Sequence, residues 1–195
     1  LMGLHPTSVN QDYQEELQVV EYWLEKRKFY GIGEIGIDLY WEKSFLEEQT
    51  HAFRFQLDLA KKYNLPVVIH VRDSFDEVYK VLCEEKDDKL TGVFHSFAGT
   101  LEQANKIIDL GFKLGVNGII TFKKNGIDEV IKEISPSNLL LETDAPYLTP
   151  TPFRGKRNES SYLVYIAQKI ADLHHMAVGD IAKITTENAR KLFGI

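Results

Sequence analysis

Only one cysteine, Cys83, occurs in the 195 residues, so no disulfide framework can hold this chain together, and a reducing compartment suits it. No apolar run approaches the roughly eighteen residues that a membrane-spanning helix needs. The opening LMGLHPTSVN starts within an apolar run and has neither the basic stretch nor the long apolar core of a signal peptide. A cytoplasmic protein without a membrane partner is therefore expected. Positive charge is not in excess: 23 Lys and Arg face 29 Asp and Glu, a net charge of −6. That balance excludes a protein that coats nucleic acid through bulk charge. It leaves room for an enzyme that grips a few phosphates with a metal and some arginines. Neither G-x-G-x-x-G nor G-x-x-x-x-G-K-[ST] follows any strand-like run, which argues against a nucleotide-binding open sheet. No serine sits in a nucleophile-elbow context near a histidine, so covalent hydrolysis is disfavoured. Low-complexity segments and Pro- or Ser-rich linkers are also missing.

What is present is an ordinary globular composition, 44% hydrophobic and 27% charged, in a length that suits one buried core. Short apolar runs recur at Leu1–Leu4, Tyr30–Glu34, Pro66–His70, Thr91–His95, Phe112–Val116 and Leu139–Glu142. They lack two-residue alternation, as parallel strands covered on both faces do. Between them lie stretches of helical spacing; Leu46, Phe53, Leu57 and Ala60 share one face of Ser44–Tyr63. Ser44 with Glu47, Ser74 with Glu77 and Thr100 with Gln103 have the spacing of capping boxes. Asn64, Pro66 and Gly111 stand where helices should stop. Alternating strands and helices predict an α/β fold with a parallel sheet, either doubly wound or a TIM-type (β/α) barrel. A complete barrel takes about 250 residues, so residues 1–195 would form a single domain with about six of the eight units.

The chemistry gathers where these runs end. The first closes on His5, the second on Glu34, the third on His70, the fourth on His95 and the last near Asp144, within LLLETDAPY. Parallel strands share one C-terminal rim, where barrels and open α/β sheets place their active sites. Singly, each residue is an ordinary hydrogen-bonding or capping group. Together, carboxylates and imidazoles crowded on one rim are costly to hold without a cation. Mixed imidazole and carboxylate donors suit zinc, manganese or similar divalent ions better than calcium. A glutamate between two ions can bridge them for in-line attack on phosphorus, and Asp144 could hold a metal while accepting a proton from the attacking water.

Five segments then bear a resemblance: GLHP, GEIGIDLYW, PVVIHVRDSFDE, FHSFAGT and LLLETDAPYLTPTPFRGKRNES resemble, in order, the signature blocks of the TatD family of metal-dependent deoxyribonucleases. The closing TTENARKLFGI is similar to that family's C-terminal helix. The resemblance implies an amidohydrolase-like barrel that hydrolyses DNA phosphodiester bonds, with some members acting as 3′ exonucleases on single-stranded ends. It implies Glu34, His70, His95 and Asp144 as metal ligands, Glu34 as the bridge, and two divalent ions (zinc, manganese, magnesium or nickel) in a complete site. One departure is plain: the family's first strand ends in a His-x-His pair, and no such pair occurs here. The first one or two strand–helix units, roughly sixty residues of a barrel, are expected to be lacking.

Further candidates surround these. His5 could contact phosphate or an ion, or serve the first turn structurally. Asp38, four residues past Glu34, would face the cleft or cap the next helix. Arg72 and Ser96 are placed to meet a phosphate oxygen, Arg72 alternatively pairing with Asp73 or Glu77. Arg154 and Arg157, in the dense basic run RGKRN, could track a DNA backbone or be a solvated loop. Tyr40 and Trp41 could stack a base or cap the barrel. Glu142 would support the site from behind, Cys83 would fill the core, and His51, His174 and His175 would lie on helix surfaces. Two other readings stand beside the nuclease: a related barrel hydrolase of C–N or ester bonds, and a non-catalytic fragment without its first metal position.

Overall fold

Extended backbone begins where helices are stopped. Asn64, in the left-handed conformation at φ 52°, ends the helix Leu46–Tyr63, and after Pro66 the β-branched run Val67, Val68, Ile69 enters a strand. A computed structural model describes residues 1–41 and 43–195, and the chain divides into two compact units. The first comprises residues 1–95 with 192–194, the second 96–191 with 195.

The first unit holds α1 (Tyr13–Lys26), β1 (Ile32–Asp38), α2 (Leu46–Tyr63), β2 (Val67–Arg72), α3 (Phe75–Glu84) and β3 (Gly92–Phe94). β1, β2 and β3 pair in parallel in that order. Ile32, Ile35, Ile37, Val67 and Ile69 are fully buried, and α2 packs on β1 and adds Ala52, Phe53, Leu57 and Ala60 to the core. The second unit holds α4 (Leu101–Asp109), β4 (Lys113–Val116), α5 (Ile127–Glu133), β5 (Leu139–Leu141), α6 (Leu163–His174) and most of α7 (Val178–Phe193). β4 and β5 are parallel, Leu114 opposite Leu139 and Val116 opposite Leu141. The α/β class with parallel strands holds.

Several local expectations change for physical reasons. Leu1–Leu4 is not a strand: only Met2 bridges to Ile32, because the peptide of Leu4 is taken by the side chain of Gln56. Thr100 and Gln103 do form the capping box. Ser74 stands at an N-cap, but its hydroxyl donates to the Ile37 carbonyl at 2.5 Å rather than capping α3. Ser44 lies outside α2, whose N-cap is Phe45. Cys83 is exposed rather than core, since α3 turns Val78, Val81 and Leu82 inward and the next position faces away. His51 and His175 are exposed, whereas Nε2 of His174 is buried with no hydrogen-bond partner.

Candidate metal centre

Glu34 and His70 lie within strands, not at their ends. β1 continues past Glu34 because Ile35 and Ile37 are buried and Gly36, Ile37 and Asp38 pair with His70, Val71 and Arg72. The register shifts between Gly33, opposite Val68, and Ile35, opposite Ile69, leaving Glu34 as the extra residue of a bulge. Bulges re-aim a side chain, and Glu34 is a partly open carboxylate in an otherwise buried strand. Gly36 permits the close strand contact there: at φ 140°, a Cβ on it would lie 2.1 Å from the His70 carbonyl oxygen. His95 directly follows β3, its N–H donating to the Ile69 carbonyl at 2.9 Å.

His5 reaches the same place from an irregular segment fixed by a buried glutamine. Gln56 accepts from the Leu4 N–H at 2.6 Å and donates back to the Leu4 carbonyl at 3.2 Å. His5 then caps the short 3₁₀ turn Pro6–Ser8, its Nδ1 accepting from the Thr7 N–H at 3.2 Å. Its Nε2 lies 3.7 Å from Oε2 of Glu34, and its ring meets that of His70 edge-on at 4.5 Å. His95 Nε2 is 3.9 Å from the same Glu34 oxygen.

Ligand atoms of His5, Glu34 and His70 all lie within 4.8 Å of one another. The 3.7 Å between His5 and Glu34 is too long for a hydrogen bond, yet suits two donors sharing one ion, which at about 2.1 Å each stand roughly 3–4 Å apart. Two imidazoles with a carboxylate fit a borderline divalent ion. Burial, then the neighbouring His70, hold the pKa of His5 below the ordinary imidazole value against the pull of Glu34 and Asp38. A neutral imidazole is the form that binds metal.

Asp38, expected at the cleft, is instead 2% exposed and serves the residues around it. Its Oδ2 lies 2.9 Å from Nε2 of His70, which leaves Nδ1 of that ring to face a cation. A carboxylate on the far nitrogen fixes a ligand's tautomer and orientation. Its Oδ1 accepts from the N–H groups of Tyr40 at 3.0 Å and Trp41 at 3.3 Å. Its own peptide is clamped by buried Gln49, which accepts from the Asp38 N–H at 2.8 Å and donates to its carbonyl at 3.1 Å. Sequence reasoning missed Gln49 and Gln56. Their signal is two polar residues seven apart on the apolar face of a helix.

Arg72 forms no ion pair with Asp73 or Glu77 among the described ion pairs; its guanidinium lies 3.7 Å over the Tyr40 ring. In the second unit Ser96 accepts from Asn117 at 2.6 Å and donates its N–H to Glu142 at 2.6 Å. Asp144 belongs to this unit, in the loop after β5, at φ 52°. Asn158, another residue missed from sequence, is 2% exposed and pins that loop by donating to the carbonyls of Thr143 at 2.6 Å and Tyr147 at 2.5 Å. Arg154 and Arg157 are exposed, with Arg154 lying 3.7 Å over the Phe122 ring.

Known proteins resemble this chain along its whole length. The family profile described as "TatD related DNase" matches residues 1–194. A Bacillus subtilis protein described as the metal-dependent hydrolase YabD is 44% identical over 195 residues, all of this chain and 76% of its own length. The Escherichia coli metal-dependent hydrolase YcfH is 32% identical over 194 residues, 99% of this chain and 72% of its own. The crystal structure of YjjV, a TatD homologue of E. coli, superposes with a TM-score of 0.93 at 32% identity, covering all of this chain and 76% of that one. This chain belongs to the TatD family and is a metal-dependent hydrolase. The fold of those homologues is TIM-barrel-like, as the strand–helix order implied.

Proposed function

We propose that this hydrolase cleaves DNA phosphodiester bonds, acting in the cytoplasm as a 3′ exonuclease on single-stranded ends. The observation that carries the reading is the Glu34 carboxylate flanked by His5 and His95 at 3.7 and 3.9 Å, with His70 completing a metal-compatible triad. The family description supports DNA as substrate. His5, Glu34 and His70 would hold one divalent ion, with Glu34 shared toward His95. Such an ion, when bound, lowers the pKa of water and offsets charge on a phosphoryl oxygen. The Glu34 carboxylate faces the His5 and His95 rings, and Asp38 keeps the His70 ring from turning. For Asp144, Arg154 and Arg157 the support is the family resemblance of their segment, which gives the first a proton-accepting role and the other two phosphate contacts.

The test is metal-dependent shortening of a 5′-labelled single-stranded oligonucleotide. Manganese, zinc, magnesium and nickel are each added to metal-free protein, and cyclic amides and lactones serve as competing substrate classes. Glu34→Ala should abolish hydrolysis and leave the circular dichroism spectrum unchanged. Wild-type turnover in that variant, or activity on amides and none on DNA, would refute the proposal.

A further inference from the structure

Trp41 is the most exposed tryptophan, 69% accessible, and Tyr40 beside it is 52% accessible. That exposure leaves most of the Trp41 surface open to solvent. The two rings meet at right angles with centroids 4.9 Å apart, and Arg72 lies over Tyr40 at 3.7 Å and 5.4 Å from the centre of Trp41. A guanidinium stacked on a ring keeps its N–H donors in its own plane, where they can grip a phosphate. The backbone of both aromatics is held by Asp38, the same carboxylate that holds His70. An aromatic face, an in-plane cation and a direct tie to the metal-binding histidine thus meet in one place.

We propose that Trp41 and Arg72, braced by Tyr40, form a nucleotide platform. The Trp41 face stacks on an unpaired base while Arg72 binds the phosphate of the strand being fed to the triad. The proposal rests on the DNA-hydrolase reading and specifies what that site selects. A base inside a duplex is already stacked on both faces and cannot lie on Trp41, so the platform favours frayed or single-stranded ends.

The experiment measures kcat and KM of the full chain with manganese on two single-stranded oligonucleotides, one intact and one with abasic 3′-terminal nucleotides. Trp41→Ala should raise KM for the intact strand by about 5- to 150-fold, the range for losing one base–aromatic stack, with kcat little changed. Trp41→Phe should restore most of the loss. The abasic strand should have a high KM already and be indifferent to Trp41→Ala. Arg72→Ala should raise KM on both strands, because both keep their phosphates. An equal effect of Trp41→Ala on both strands, or none on either while DNA is still cleaved, overturns the platform alone. Absence of hydrolysis of both strands by the wild type overturns the DNA reading and the platform with it.

Discussion

Replacing Asp38 by alanine removes one buried carboxylate that serves three groups: His70 and the N–H groups of Tyr40 and Trp41. The bond to His70 involves an ionised partner and is worth about 1.5–3 kcal/mol. The two loop N–H groups can turn to water, so each adds only about 0.5 kcal/mol. Asp38→Ala should therefore lower stability by about 2.5–4 kcal/mol. It should also weaken divalent-ion binding about 10- to 100-fold, because the ligand ring is no longer oriented from behind. Asp38→Asn keeps one oxygen, enough to accept from both loop N–H groups, and loses the charge toward His70, so it should recover roughly half of the stability. Urea unfolding followed by tryptophan fluorescence gives the stability, and calorimetric titration of manganese into metal-free protein gives the affinity. An Asp38→Ala protein with wild-type unfolding midpoint and wild-type manganese affinity would refute the account of Asp38 as the group that positions His70.

Gln56→Leu strips the Leu4 peptide of both side-chain partners in a buried place, at about 1–3 kcal/mol for each group left unpaired. Its unfolding midpoint should fall, and its manganese affinity with it, since His5 is the next residue; Gln56→Glu, which keeps only the acceptor, should fall between. Glu85 accepts from Lys61 and Arg54, and the Lys61 bond, against partial burial, holds its pKa below the usual carboxylate range. Because the folded pKa is depressed, the pair stabilises above the unfolded carboxylate value of about 4.3 and loses that contribution as pH falls through the folded one. Glu85→Gln should cost about 0.5–1 kcal/mol at neutral pH, and its urea midpoint should converge with wild type in acid. A constant difference across pH would show that the charge is not what matters.

Much of the site was legible because each ligand type follows a strand-forming run. His70 follows Val67, Val68 and Ile69 within β2, and His95 directly follows β3. What could not be read was which neighbour each would meet. His5 was open between a phosphate or ion contact and a first-turn role, and the structure has it cap Pro6–Ser8 while its ring lies beside Glu34 and His70. Asp38 was open between facing the cleft and capping the next helix, and its carboxylate instead meets His70 and the N–H groups of Tyr40 and Trp41. Cys83 looked like core because it adjoins Val81 and Leu82, but a helix exposes one position while it buries the two before it.

The amino-acid order alone determined the α/β class, the places where helices stop at Asn64 and Gly111, and the list of carboxylates and imidazoles able to hold an ion, because those follow from local propensity and residue chemistry. Tertiary structure alone decided the bulge that turns Glu34 outward, the two glutamines of α2 that clamp Leu4 and Asp38, and the pairing of Asp38 with His70. Those depend on strand register and on groups up to 52 residues apart, and a contact at that separation leaves no periodic trace in the chain.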